Sequence, residues 1–466
     1  MRRLVGLGLG VVLAACTVSE EEVAPVAEPL QPLAVDRDPS PGVIEVTLRA
    51  TPGEVVLDGV MTPIWGYADG PAPPTLPGPM IVADPGDLLV VHFDNALDDG
   101  TTVHFHGPRL PNEMDGAPVG GTLVAPGESF DYVFPLLDAG TFWYHPHWNT
   151  AEQVERGLYG QLVVREPAVP AARERFFLLD DVDRDEAGAI VVAPGADDLA
   201  HGRTGDTILV NGRITPTLDV PANGLERWHL TNASNGRYFA LRLPGHLFTV
   251  IGTDGGLLAE PYDVARLELT PGSRVDVVVA IDGATGQALT LTTEPIDDQA
   301  PDPTTREVMT LRLGQPGPAL SDGWRDDLPR RELSPLDMSG AAERTIRLGA
   351  AAGPASLDEP SFFINDESWP FAEPEQGRVG DTEIWTVIND SDHREPFHLH
   401  GTFVQPLSLD GIAAERVMLE DVVDVPAGSV LRLAVPFERP GNWMFHSHIL
   451  EHAELGMMRV LRLVED

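Results

Sequence analysis

The chain has 466 residues, enough for about three domains at roughly 150 residues each. Its 31 basic residues, all arginine, stand against 72 acidic ones, and the net charge of -41 excludes a nucleic-acid-binding face. With 46 glycines, 43 prolines and one cysteine, Cys16, the composition excludes a helical bundle, an internal disulfide framework and a thiolate site in the folded body.

The chain opens on Met1, Arg2 and Arg3, followed by twelve apolar or small residues from Leu4 to Ala15 that end just before Cys16. The run is too short to span a bilayer. It reads as a bacterial lipoprotein signal peptide over residues 1–15, with Cys16 as the lipidated residue. Residues 16–42, with Glu20 to Glu22 and several prolines, have no hydrophobic period and read as a disordered tether. The expected location is the cell envelope, lipid-anchored on the periplasmic or outer side of a membrane.

From residue 43 onward, short alternating apolar runs predict strands at 43–48, 88–93, 160–164, 267–269, 275–280 and 430–435. Turns containing Pro85-Gly86, Pro126-Gly127, Pro271-Gly272 and Ala427-Gly428 fall just before a strand. The recurrence in each third of the chain points to a repeated β-sandwich. The expected units are 43–166, 170–316 and 342–466, with a linker over 317–341.

Fourteen histidines placed at random would give about 0.4 His-x-His pairs, the background for any such motif. The sequence has four: His104/His106, His145/His147, His398/His400 and His446/His448. In a strand, residues i and i+2 share a face, so each pair offers two imidazoles to one cavity. Imidazole suits copper, zinc, iron or nickel. A single pair fits a hydrogen-bonded couple equally well, but four together point to a polynuclear metal site. Because two pairs lie in the first unit and two in the last, that site is expected between those units.

The motifs HFHGPRLPNEMDG from His104, FWYHPH from Phe142, PFHLHG from Pro396 and WMFHSHILEH from Trp443 resemble the copper motifs of three-domain multicopper oxidases. In the middle unit, ILVNGR from Ile208 and DGG from Asp254 are similar to segments of that family's second domain. The resemblance implies an all-β chain of three consecutive cupredoxin-like Greek-key β-sandwich domains. It also implies a trinuclear copper cluster and dioxygen as co-substrate. His104 and His398 would hold the type 2 copper, and His106, His145, His147, His400, His446 and His448 the type 3 pair. Asp115 matches the acidic residue that hydrogen-bonds solvent near the cluster and passes protons.

The family's type 1 blue copper has no counterpart. Ser447 stands where the resemblance expects the thiolate and Glu395 where it expects a histidine, while His452 and Met457 remain. Serine, glutamate, one imidazole and one thioether cannot make a blue site. Two fates for this degenerate pocket stay open: Glu395 and His452 holding a hard or borderline ion, or Glu395 pairing with an arginine such as Arg394. His393 is out of register to replace the lost histidine. Ala453 follows His452 where relatives often carry a carboxylate, which leaves Glu454 as a possible substitute. The implied activity is a copper-dependent oxidoreductase using dioxygen, with electrons from a small reductant, a cuprous ion or a donor protein. The alternative is a non-enzymatic periplasmic copper-binding or scaffold protein of the same fold. In either case the chain is expected to be a monomer.

Overall fold

The computed structural model describes residues 31–296, 304–318, 320–321, 323–351 and 361–465. Its described strands form six sheets that share three principal cores. In the first unit, a sheet ordered Val60–Asp69, Val43–Leu57, Leu88–Asn95, Ser129–Pro135 packs against one ordered Ile81–Ala83, Gly160–Val164, Gly140–His145, His104–His106. Leu48, Val91 and Phe134 from the first sheet and Phe105, Phe142 and Leu162 from the second are all buried in one cluster. The hairpin between Val43–Leu57 and Val60–Asp69 turns on Asp58 and Gly59, both at positive φ (50° and 78°), the conformation a two-residue primed turn needs.

The second unit joins a seven-stranded to a five-stranded sheet around Phe177, Trp228, Leu241 and Leu311. The third joins a six-stranded to a five-stranded sheet around Trp385, Leu433, Phe397 and Phe445. All six expected runs lie within strands, because alternating side chains let each strand bury one face. Strand Thr382–Asn389 shows this directly, with every second residue buried.

Three short helices, α1 (Thr150–Glu155), α2 (Ala196–His201) and α3 (Leu450–Glu454), meet where the three units adjoin. Phe403 of the third unit enters the core of the first. Asn112 locks the same seam: its amide donates to Asn442 O (2.8 Å) and its side-chain oxygen accepts the Asn442 N–H (3.1 Å).

The expected tether is corrected over residues 31–42. Gln31 is only 2% exposed and hydrogen-bonds the Gln161 side chain. The Ala34 N–H donates to Met80 O at 2.9 Å, and Arg37 pairs with Asp69. These contacts join the segment to the first sandwich, because a buried amide needs a partner and Gln161 provides one. The proposed signal peptide, Cys16 and the earlier tether lie outside the described residues. The 317–341 connection is also packed in part: Leu328 is buried with Val169, Leu225 and Ile251.

Candidate metal centre

The two ends of the chain build matching half-sites. Strand His104–His106 pairs antiparallel with Gly140–His145, setting His104 opposite His145. Strand Glu395–Leu399 pairs the same way with Gly441–Ser447, setting His398 opposite His446. Phe105 and Leu399, the residues between paired histidines, turn into their own sandwich cores, as the two-residue period requires. His147, His400 and His448 lie just past the strand ends. The structure brings all eight histidines together and buries them. Two ring stacks cross between the units: His104 on His400 at 4.1 Å and His106 on His398 at 3.9 Å.

The hydrogen bonds of the rings show which way they face. His104 Nδ1 donates to Asp115 O (2.7 Å), His398 Nδ1 to Asp421 O (2.8 Å), His145 Nδ1 to Pro146 O (2.9 Å) and His446 Nδ1 to Ser447 O (2.7 Å). His400 Nδ1 lies 2.8 Å from Asp115 Oδ2, and His106 Nε2 lies 2.9 Å from Asp421 Oδ1. The opposite nitrogens of His104, His106, His145 and His398 are buried without a partner. His147 Nε2 and His400 Nε2 stand 3.2 and 3.1 Å from His446 Nε2, three lone-pair positions converging on one point.

Burial holds His106, His145, His147, His398, His400 and His448 well below the ordinary imidazole value, and His446 down to about 4. The lowering favours the neutral form of these seven rings, the form that ligates metal. Four sets of three ligand atoms lie within 4.8 Å of one another, among them His147, His400 and His446. In six of the eight rings one nitrogen is anchored and the other turned into the buried cluster, and both nitrogens of His448 are unpartnered; this is the donor arrangement of a metal site, and an all-imidazole set fits copper.

Two carboxylates support the site: Asp421 carries no sequence signal, and Asp254 stands in the sequence only as part of the middle unit's DGG motif, without a role. Asp421 faces His106, and its carboxylate takes charge-assisted hydrogen bonds from Arg274 of the middle unit, one of them 2.5 Å long. Asp254, also of the middle unit, accepts the Val422 N–H at 3.0 Å. In the same unit Gly272, at φ +86°, approaches His448 so closely that a Cβ there would lie 2.8 Å from the ring. The second sandwich thus holds a site to which it contributes no histidine.

In the degenerate pocket Ser447 and His452 Nδ1 both meet the Glu395 carboxylate, while His452 Nε2 is buried without a partner. Glu395, Ser447 and His452 are fully buried. Ser447 Oγ donates to Glu395 Oε2 at 2.6 Å, and His452 Nδ1 lies 3.0 Å from Glu395 Oε1. Phe362 stacks on the His452 ring at 3.9 Å, and Met457 is buried in the third core. The Glu395 carboxylate reaches Ser447 and His452, while Arg394 pairs with Asp424; of the two open fates, the pairing of Glu395 with Arg394 is replaced by these contacts. The His393 ring stays 5.8 Å from that of His452.

Beside the cluster lies a cavity of about 490 Å³ that exposes His145, His147 and His446 to Trp148, Trp369 and Glu454. Glu454 accepts the Ala151 N–H of α1 at 3.0 Å, and burial raises its carboxyl to about 7.

Three sandwiches whose outer two share a buried imidazole cluster define a cupredoxin-type copper protein. Sequence profiles of multicopper oxidases match residues 50–169, 179–309 and 344–466. The chain belongs to the multicopper oxidase family. A multicopper oxidase of Campylobacter jejuni, described as a metallo-oxidase, superposes with a TM-score of 0.83 at 28% identity, over 95% of this chain and 96% of that one. One from Pseudomonas thermotolerans gives 0.78 at 31% identity, over 91% and 99%. The laccase of Bacillus subtilis is 26% identical over 95% of this chain and 98% of its own length.

Proposed function

We propose that the chain is a dioxygen-reducing copper oxidoreductase that holds a trinuclear cluster and works without a type 1 copper. The observation that carries this reading is the inward set of buried, unpartnered imidazole nitrogens. His104 and His398 would hold the type 2 ion. His147, His400 and His446 would hold one type 3 ion, and His106, His145 and His448 the other. Copper bound there would supply one-electron redox steps and the binding of dioxygen for reduction to water. Asp421, fixed by Arg274, keeps the His106 proton on Nε2 and leaves Nδ1 free; Asp115 does the converse for His400. Glu395 joined to Ser447 and His452 leaves no thiolate to relay electrons, so a small reductant, a cuprous ion or a donor protein must deliver them near the cluster.

Copper analysis with absorption and spin-resonance spectra tests this reading. Loaded protein is expected to hold roughly three coppers per chain and to lack the intense blue thiolate-to-copper band. A blue protein, or one that takes up no copper, overturns it. Oxygen uptake with a reductant separates the oxidase from the copper-binding or scaffold alternative.

The N-terminal pattern supports a lipid anchor in the cell envelope, and the net charge of -41 argues against a nucleic-acid partner. Cys16→Ser should release the body from membranes. Wild-type protein found wholly in the soluble fraction would overturn the anchor.

A further inference from the structure

The cavity beside the cluster has the volume of a small-molecule pocket, for which roughly 300–1,000 Å³ is usual, whereas dioxygen needs only a fraction of that. Its inner end is formed by His145, His147 and His446, all buried. Toward solvent it meets Trp148, which is 41% exposed, and the partly buried Trp369. Two indoles line the one cavity, and an indole packs favourably on an aromatic ring. The carboxylates of Asp99 and Glu454 also line it, and with a net charge of -41 they disfavour anions and accept hydrogen bonds from hydroxyl or amine groups.

This cavity and the Glu395 network bear together on where electrons enter. With the relay through residue 447 filled by a hydrogen-bonded serine, a reductant gains most by touching the cluster histidines themselves.

We infer that the cavity is the reductant site and takes a single-ring aromatic bearing hydroxyl or amine donors, such as a catechol, directly against His145, His147 and His446. The inference rests on the copper-cluster reading above. Two catechols oxidised to two o-quinones release four electrons and four protons, and one dioxygen takes up all of them to give two water molecules.

Catechol binding is measured by ligand-detected NMR under nitrogen, on copper-loaded protein reduced with dithionite and on copper-free protein, so that no turnover occurs. Saturable binding is expected in both forms, because the walls are side chains. Trp148→Ala, at an exposed position that the fold tolerates, should raise Kd about tenfold. Ala453→Leu, which fills the cavity from α3, should raise it at least as much. Copper content should stay at the wild-type level in both variants.

Absence of saturable binding overturns the inference, as does a Kd that neither variant changes. Retention of a cuprous ion that is lost in Met444→Leu and excludes catechol overturns it in favour of a metal-ion reductant. A protein that takes up no copper yet binds catechol with the same sensitivity to Trp148→Ala refutes the cluster reading, and with it the redox role, while leaving the aromatic site standing.

Discussion

Ser447 Oγ donates to the Glu395 carboxylate at 2.6 Å, and this one contact couples the two positions at which a blue copper site would need a thiolate and an imidazole. Restoring one alone leaves the other mismatched. Ser447→Cys would set a thiol against a buried carboxylate that already engages His452. The double change Ser447→Cys with Glu395→His is expected to give a blue absorption band and faster oxidation of phenols, whereas Ser447→Cys alone should give a labile, oxidation-prone site. Full copper loading of the double variant with neither band nor faster oxidation would show that the pocket has diverged further.

Asp421→Asn keeps the shape of the side chain but removes the charge between His106 and Arg274. Loss of a supporting carboxylate costs about 10–100-fold in metal affinity. Breaking a buried ion pair costs on the order of 3 kcal/mol. Competition with a copper chelator and a thermal melt of the copper-free protein read the two effects separately. Unchanged affinity would remove Asp421 from the site.

Gly272→Ala places a Cβ 2.8 Å from His448 at a backbone φ of +86°. Gly286→Ala is the matched control, with φ +87° and no heavy atom within 4 Å of its Cβ. The control should lose only the backbone penalty of a left-handed L-residue, about 1–2 kcal/mol. Gly272→Ala should also lose copper per chain. Equal behaviour of the two would show that the approach to His448 is without consequence.

Asp180 gives the stability a pH dependence independent of metal. Burial, with Asp181 beside it, raises its carboxyl from 3.8 to about 8, and Tyr159 donates a hydrogen bond to it at 2.5 Å. Between those values the folded state holds a proton that the unfolded chain has released, so this contribution is present below about pH 4 and lost as pH rises through about 8. Asp180→Asn should flatten that part of the profile, gaining on wild type between pH 5 and 8.5 in thermal melts of copper-free protein. Parallel curves would mean that Asp180 ionises normally.

The histidine pairs were legible in the sequence because the two-residue period of a strand is local: His104 and His106 must share a face wherever the strand lies. Asp421 was not legible. It faces His106 across 315 residues of sequence, and only the packing of three sandwiches makes it a support. The same holds for Gln31, whose partner Gln161 lies 130 residues away and turns the end of an apparent tether into packed chain. Ser447 and Glu395 could be read as losses from the motif spacing. That they join each other and His452, with Arg394 on Asp424 instead, needed the fold.

The division of the histidines between residues 104–147 and 398–448 also bears on the order of synthesis. Domains fold as they emerge, the N-terminal one first. The first sandwich therefore presents half a centre while about two thirds of the chain is unmade, and Arg274 is already in place before Asp421 exists to meet it. A truncated product keeps four imidazoles with nothing opposite them. Tight copper uptake then marks a finished chain, and the metal reports on completion as well as on chemistry.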